Sequence, residues 1–276
     1  MSYLQAQKIL VKAILYKLIN KYEVLNFFNI FSKIGLIPAE GRIFHIQNQK
    51  FFIPANRREL AEALFNIDPE LKALEMIKTH FQKKGLGPLI FLDLGASQGI
   101  YSVLMKNGGW EVYAVEGMEC TYDLLKINFA LNEIPIQCAL NYWVVSDISR
   151  QYFVSKSNFS LTNSVSEIDN EELAINITTL NSLLFKYRPN VLKIDLEGMD
   201  SKVILTANLE SLEFVDYLII ELQYGSAIFS EVISHLRALN FENYINFSLD
   251  GTLSRQNEIK IVNSHFRRIH GHVFVG

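Results

Sequence analysis

Apolar residues recur at helical spacing over residues 3–22, where Leu4, Leu10, Val11, Ile14, Leu15 and Leu18 share a side and Gln5, Lys8, Lys12, Tyr16 and Asn20 lie mostly opposite. This predicts an amphipathic helix. A more apolar stretch, 27–37, stops at Pro38, and 41–54 mixes polar and aromatic residues as a hairpin or irregular segment does. A second helical pattern runs over 59–84, is interrupted at Asp68-Pro69, and ends at Gly85 and Gly87-Pro88. That Gly/Pro cluster is the expected boundary between an N-terminal helical extension, 1–85, and a second domain, 86–276.

Beyond it the period alternates. Strands are predicted over 89–94, 111–115 and 136–140, with helices over 99–107 and 120–131 between them. Short polar and β-branched runs over 144–177 suggest an inserted hairpin or lid. Helix 180–187, strand 191–194, helix 200–209, strand 217–220, helix 226–239 and two late strands, 244–247 and 272–275, complete the pattern. Strands alternating with helices imply an α/β fold with a mostly parallel sheet covered on both faces.

The chain has 276 residues, 49% of them hydrophobic, enough for a sizeable core. A net charge of -3, with aromatic residues not interleaved among basic clusters, excludes the electrostatic footprint of a nucleic-acid binder. Cys120 and Cys138 form no CxxC and no metal-ligand spacing, so two buried thiols are expected. With no run of 18 uncharged apolar residues and no secretory pattern, the expectation is a cytoplasmic protein. The basic side of the first helix suits peripheral contact with an anionic membrane, and its apolar side suits the domain or the second subunit of a homodimer.

The segment from Ile90 to Ser102 carries the candidate chemistry: a buried strand turns through Gly95 and Gly99 into a helix, and a second strand ends in Glu116 about 20 residues later. Three readings compete. A nicotinamide site needs G-x-G-x-x-G, whereas this chain has Gly95, Ser97, Gly99, and Asp93 would repel a pyrophosphate. A serine hydrolase accounts for Gly95-Ala96-Ser97-Gln98-Gly99 as G-x-S-x-G, with His235, His265, His270 or His272 as base and Asp195 or Asp216 as acid. No glycine-rich oxyanion segment precedes the turn, however, and a hydrolase leaves Glu116 unexplained. S-adenosylmethionine uses every feature: Asp93 for its ammonium, the backbone from Gly95 through Ala96 and Ser97 to Gly99 beneath it, and Glu116 for the ribose hydroxyls.

The stretch Asn190 to Ile204, N-V-L-K-I-D-L-E-G-M-D-S-K-V-I, resembles the K-I-D-x-E-G-x-E signature of FkbM-like methyltransferases. D-L-G-A-S-Q-G is similar to that family's D-x-G-A-N-x-G, V-V-S-D at 144–147 to its A-x-S-D, T-L-N-S-L at 179–183 to its T-L-D-x-L, and L-I-I-E at 218–221 to its late strand. The departures are Ser97 for Asn, Gly117-Met118 where Pro follows the ribose acid, Asn181 for Asp, and Asp200 for Glu. The resemblance covers about half the chain. It implies a Rossmann-like seven-stranded class I methyltransferase sheet, S-adenosylmethionine as cofactor, and O-methylation of a hydroxyl, often on a sugar of a glycan or glycosylated metabolite. It also implies that Ser146 and Asp147 meet the adenine edge.

Taking a proton from a hydroxyl calls for a carboxylate at the carboxyl edge of the sheet, and Asp195 and Glu197 are the candidates. No resident metal is expected, although Asp195, Glu197 and Glu221 could bridge one. The histidines show no motif spacing, and Trp110 and Trp143 are expected to be packing residues. A non-enzymatic alternative is a cofactor-binding interaction subunit that uses the first helix as its contact surface.

Overall fold

Seven strands form the central sheet of the computed structural model, which describes residues 41–55, 57, 60, 64, 67–82, 89–154, 165–166, 172–173, 176–248 and 260–268. Strands β3 (Ile90–Leu94), β4 (Glu111–Val115) and β5 (Ala139–Leu140) run parallel to β11 (Val191–Ile194) and β12 (Tyr217–Tyr224). β14 (Lys260–Arg268) joins antiparallel to β12, and β13 (Phe241–Ser248) antiparallel to β14. The order is β13-β14-β12-β11-β3-β4-β5. The order reverses between β3 and β11, which leaves a crevice at the carboxyl ends of those two strands.

Period-two alternation explains why both faces are covered. Phe91, Val191, Tyr217 and Ile219 enter one cluster, while Leu92, Leu94, Leu192, Ile194, Leu218 and Ile220 enter the other. The first cluster is closed by α1 (Asp68–Gln82), α2 (Ile100–Asn107), α3 (Glu119–Leu131) and the hairpin β1 (Gly41–Ile46) and β2 (Gln49–Pro54). The second is closed by α4 (Leu180–Tyr187), α5 (Asp200–Ile204) and α6 (Ala227–Ala238). Phe51, Phe52, Leu60, Ile77 and Phe81 are buried with Phe91 and Val103, so described residues on both sides of the expected boundary share one core.

The expected helix 3–22, the stretch 27–37, the Gly/Pro boundary itself and the strand over 272–275 lie outside the described residues. The antiparallel partner of β13 is β14, a strand that the hydropathy pattern did not predict. Helix α5 stops at Ile204, short of the expected 209, because Thr206 Oγ1 donates to the Val203 carbonyl at 2.7 Å and competes for the helical ladder. Across the insertion, β6 (Trp143–Val145) pairs with β10 (Ile177–Thr179), while β7 (Phe153–Val154) pairs antiparallel with β8 (Val165–Ser166) and β9 (Glu172–Leu173). Cys120 is exposed and Cys138 half-buried, correcting the expectation of two buried thiols: both sit at the rim, one on the first turn of α3 and one on a single-turn helix before β5.

Candidate functional site

The crevice begins where β3 and β11 end. Gly95 has φ 74°, and a Cβ placed there would lie 1.6 Å from the Asp195 carbonyl oxygen, so the two strand ends meet without room for a side chain. The Gly95 and Ala96 amides both donate to the Val115 carbonyl at 2.9 Å, joining the turn to β4. Ser97 and Gly99 follow at φ 51° and 86°, the left-handed pair that swings the chain into α2. At Gly99 helix α3 packs directly on the turn: a Cβ there would lie 2.5 Å from Leu125 Cδ1.

Glu116 stands across this turn. Its Oε2 accepts the Ser97 amide and its Oε1 the Met118 amide, each at 2.9 Å. Each oxygen keeps lone-pair capacity for a ligand hydroxyl. Burial pushes its carboxyl up to about 7 despite those two amides. Asn141 Nδ2 donates to the carbonyls of Glu116 and Gly117, a support that no sequence motif marked. The departure at Gly117 now has a cause: a Cβ there would sit 2.4 Å from the Trp143 ring, so the indole lies directly on the backbone. Trp143, expected only to pack, therefore lines the crevice together with Met118 and Thr121.

Asp93, expected to face an ammonium, lies beneath the lining of the crevice. It is 1% exposed, its Oδ2 accepts the Ser102 hydroxyl at 2.7 Å, and its Oδ1 lies 3.4 Å from Lys193 Nζ. Register is the reason: Asp93 pairs with Lys193, both one residue before their strands' last, and both project from the same sheet face toward α2. Lys193 Nζ also donates to Asp195 Oδ2 at 3.1 Å. Burial alone would lower the Lys193 ammonium, but Asp195 and Asp93 outweigh it and hold the group above its usual range. Asp93 is raised by the same burial, against the pull of Lys193 and Ser102.

Asp195 and Glu197 both reach the crevice. Glu197 has φ 51° and is followed by Gly198 at φ 102°. This unusual turn is pinned by Asp200, whose Oδ1 accepts the Leu196 amide at 2.7 Å and whose Oδ2 accepts the Gly198 amide at 3.0 Å. A carboxylate in the first helical turn reaching back to preceding amides is the logic of a capping box, and only its one-residue kinship to the signature's Glu hinted at it. Burial, with Asp195 and Asp200 nearby, pushes Glu197 up to about 7, and the same forces push Glu221 up to about 8. Among the described residues, Asp195, Glu197 and Glu221 do not gather into a three-ligand metal site.

Ser146 and Asp147 are not crevice residues: the Ser146 hydroxyl and the Asp147 amide meet the Tyr152 hydroxyl, each at 3.2 Å. The Asp147 carboxylate is spent on Ser149, at 2.7 and 2.9 Å, and on Arg150 at 3.4 Å, which holds it below the usual carboxylate range. Ser97 is not a hydrolase nucleophile, because no histidine among the described residues lines the crevice, and His235 is engaged with the Ala207 carbonyl at 3.0 Å.

The model of the methyltransferase FkbM domain matches residues 93–242, more than half of the chain. No curated protein matches it. Among solved structures, the tRNA m1G37 methyltransferase of M. jannaschii aligns at 14% identity over 83% of this chain and 57% of its own, with a TM-score of 0.43. A TehB-like SAM-dependent methyltransferase from Corynebacterium glutamicum aligns at 14% identity over 79% of this chain and 100% of its own, with a TM-score of 0.41.

Proposed function

Because the chain belongs to the FkbM methyltransferase family and uses S-adenosylmethionine, we propose that it methylates a hydroxyl oxygen of an uncharged acceptor, in the first instance a sugar of a glycan or glycosylated metabolite. One observation carries this: the crevice carries Asp195 and Glu197 at the end of β11, and among the described residues its one basic side chain, Lys193, is already paired with two carboxylates. Such a wall repels a polyanion and accepts a neutral polyol.

The bound cofactor supplies an electrophilic methyl group on a sulfonium. The backbone of Gly95, Ala96 and Ser97 along the crevice, with Gly99 turning the chain behind it, the ring of Trp143 and the two free lone pairs of Glu116 fit its aminoacyl chain, adenine and ribose. The Lys193 ammonium, 3.1 Å from Asp195 Oδ2, fixes that carboxylate at the crevice wall to orient the acceptor, and Glu197 takes the hydroxyl proton as the new C–O bond forms. Glu116→Ala removes a buried acceptor of two amides as well as the ribose contact, so S-adenosylhomocysteine should bind about 30-fold more weakly by calorimetry.

The acceptor is tested with methyl-tritiated S-adenosylmethionine offered separately to neutral oligosaccharides, glycolipids, RNA and protein extracts. Label in an alkali-stable methyl ether of a sugar supports the reading. Label confined to RNA or protein overturns it, and no label from a protein that binds S-adenosylhomocysteine favours a cofactor-binding interaction subunit.

A further inference from the structure

We propose that Asn128, acting from the hairpin β1–β2, is a positioning residue of the cofactor turn; this rests on the cofactor reading of the Ser97 and Glu116 site. Asn128 is fully buried on α3, far from the strand ends in sequence, and the mechanism above makes no use of it. Its Nδ2 donates to the Gln98 carbonyl at 2.8 Å, and its Oδ1 accepts the Phe52 amide at 2.7 Å. Phe52 N–H can only donate and Gln98 C=O can only accept, so the amide has one satisfiable orientation, set by the hairpin. Gln98 is the residue between the two left-handed positions Ser97 and Gly99. Its side-chain Nε2 donates to the Leu60 carbonyl at 3.1 Å, a second tie to the segment that follows the hairpin.

One turn along α3, Asn132 accepts the Lys50 amide at 2.9 Å and donates to the Lys50 carbonyl at 2.7 Å. The two asparagines together satisfy the free edge of β2 as a neighbouring strand would. Only Asn128 passes that contact on to the turn. The hairpin, which precedes the matched family domain, thereby sets the Gln98 carbonyl, one residue past the Ser97 amide that Glu116 holds. Removing the Asn128 amide takes away its bonds to the buried Gln98 carbonyl and to the Phe52 amide together, and the turn is no longer tied to the hairpin through α3.

The test is calorimetric titration of S-adenosylhomocysteine into the full chain carrying Asn128→Ala or Asn132→Ala, with thermal unfolding measured in parallel. Both variants loosen the hairpin and should lower Tm to a similar extent, but Asn128→Ala should weaken binding about 10-fold while Asn132→Ala stays within twofold of wild type. Should Asn128→Ala not fold, Asn128→Ser keeps an acceptor for Phe52 on a shorter side chain and carries the same expectation. Wild-type affinity in the Asn128 variant, or equal weakening by both variants, overturns the proposal. Absence of binding by the wild type is instead a failure of the cofactor reading.

Discussion

Gly95→Ala is expected to bind no S-adenosylhomocysteine measurable by calorimetry and to unfold about 10 °C below wild type. The left-handed conformation by itself costs an alanine roughly 1–2 kcal/mol. The larger part comes from the Asp195 carbonyl, 1.6 Å from the new Cβ. Neither side can yield cheaply, because the Gly95 amide is bonded to Val115 and the Asp195 amide to the Leu94 carbonyl at 3.0 Å. The ends of β3 and β11 must part, and the floor of the crevice opens with them. An unchanged Tm in this variant would mean that the two strand ends do not meet as described.

Glu197→Gln should lower methyl transfer to the identified acceptor by about 10²–10⁴-fold, the range lost with a general base, while binding S-adenosylhomocysteine within twofold of wild type. The pH profile separates a base from a mere contact. Burial raises Glu197 to about 7, so at saturating cofactor kcat should climb as pH rises through 7, when the carboxylate becomes available to take a proton, and level off above it. The glutamine variant should be flat over that range. A variant that keeps the limb assigns it to another group, and Glu221, pushed up to about 8, is then the next residue to change.

Much of the crevice was legible because short-range rules write it into adjacent residues. A buried strand followed by Gly95 and Gly99 announces a turn that side chains would block, and Glu116 lies one strand–helix unit further on, where a parallel sheet must bring it back. Asp195 and Glu197 follow a fully buried strand and so had to emerge at its carboxyl end. At Ser146 and Asp147 the same local rules write an ordinary turn: Asp147 sits two residues before Ser149, and its carboxylate bonds the Ser149 amide.

The roles of Asp93 and Lys193 illustrate the limit. Each was visible as a residue, but their pairing depends on β3 lying beside β11 in one register, although 100 positions separate them in the chain. Asn128 and Asn132 look like ordinary polar helix residues until the β2 edge is laid against them, and Gly117 becomes intelligible only once the Trp143 ring covers it. By itself the sequence determined the parallel α/β sheet, the glycine turn and the acids at strand ends, because hydrophobic period, left-handed backbone and strand direction are local properties. Only the tertiary structure decided which charges are buried against each other, which carboxylates remain free in the crevice, and what holds the turn in place, because those outcomes depend on contacts between residues distant in the chain.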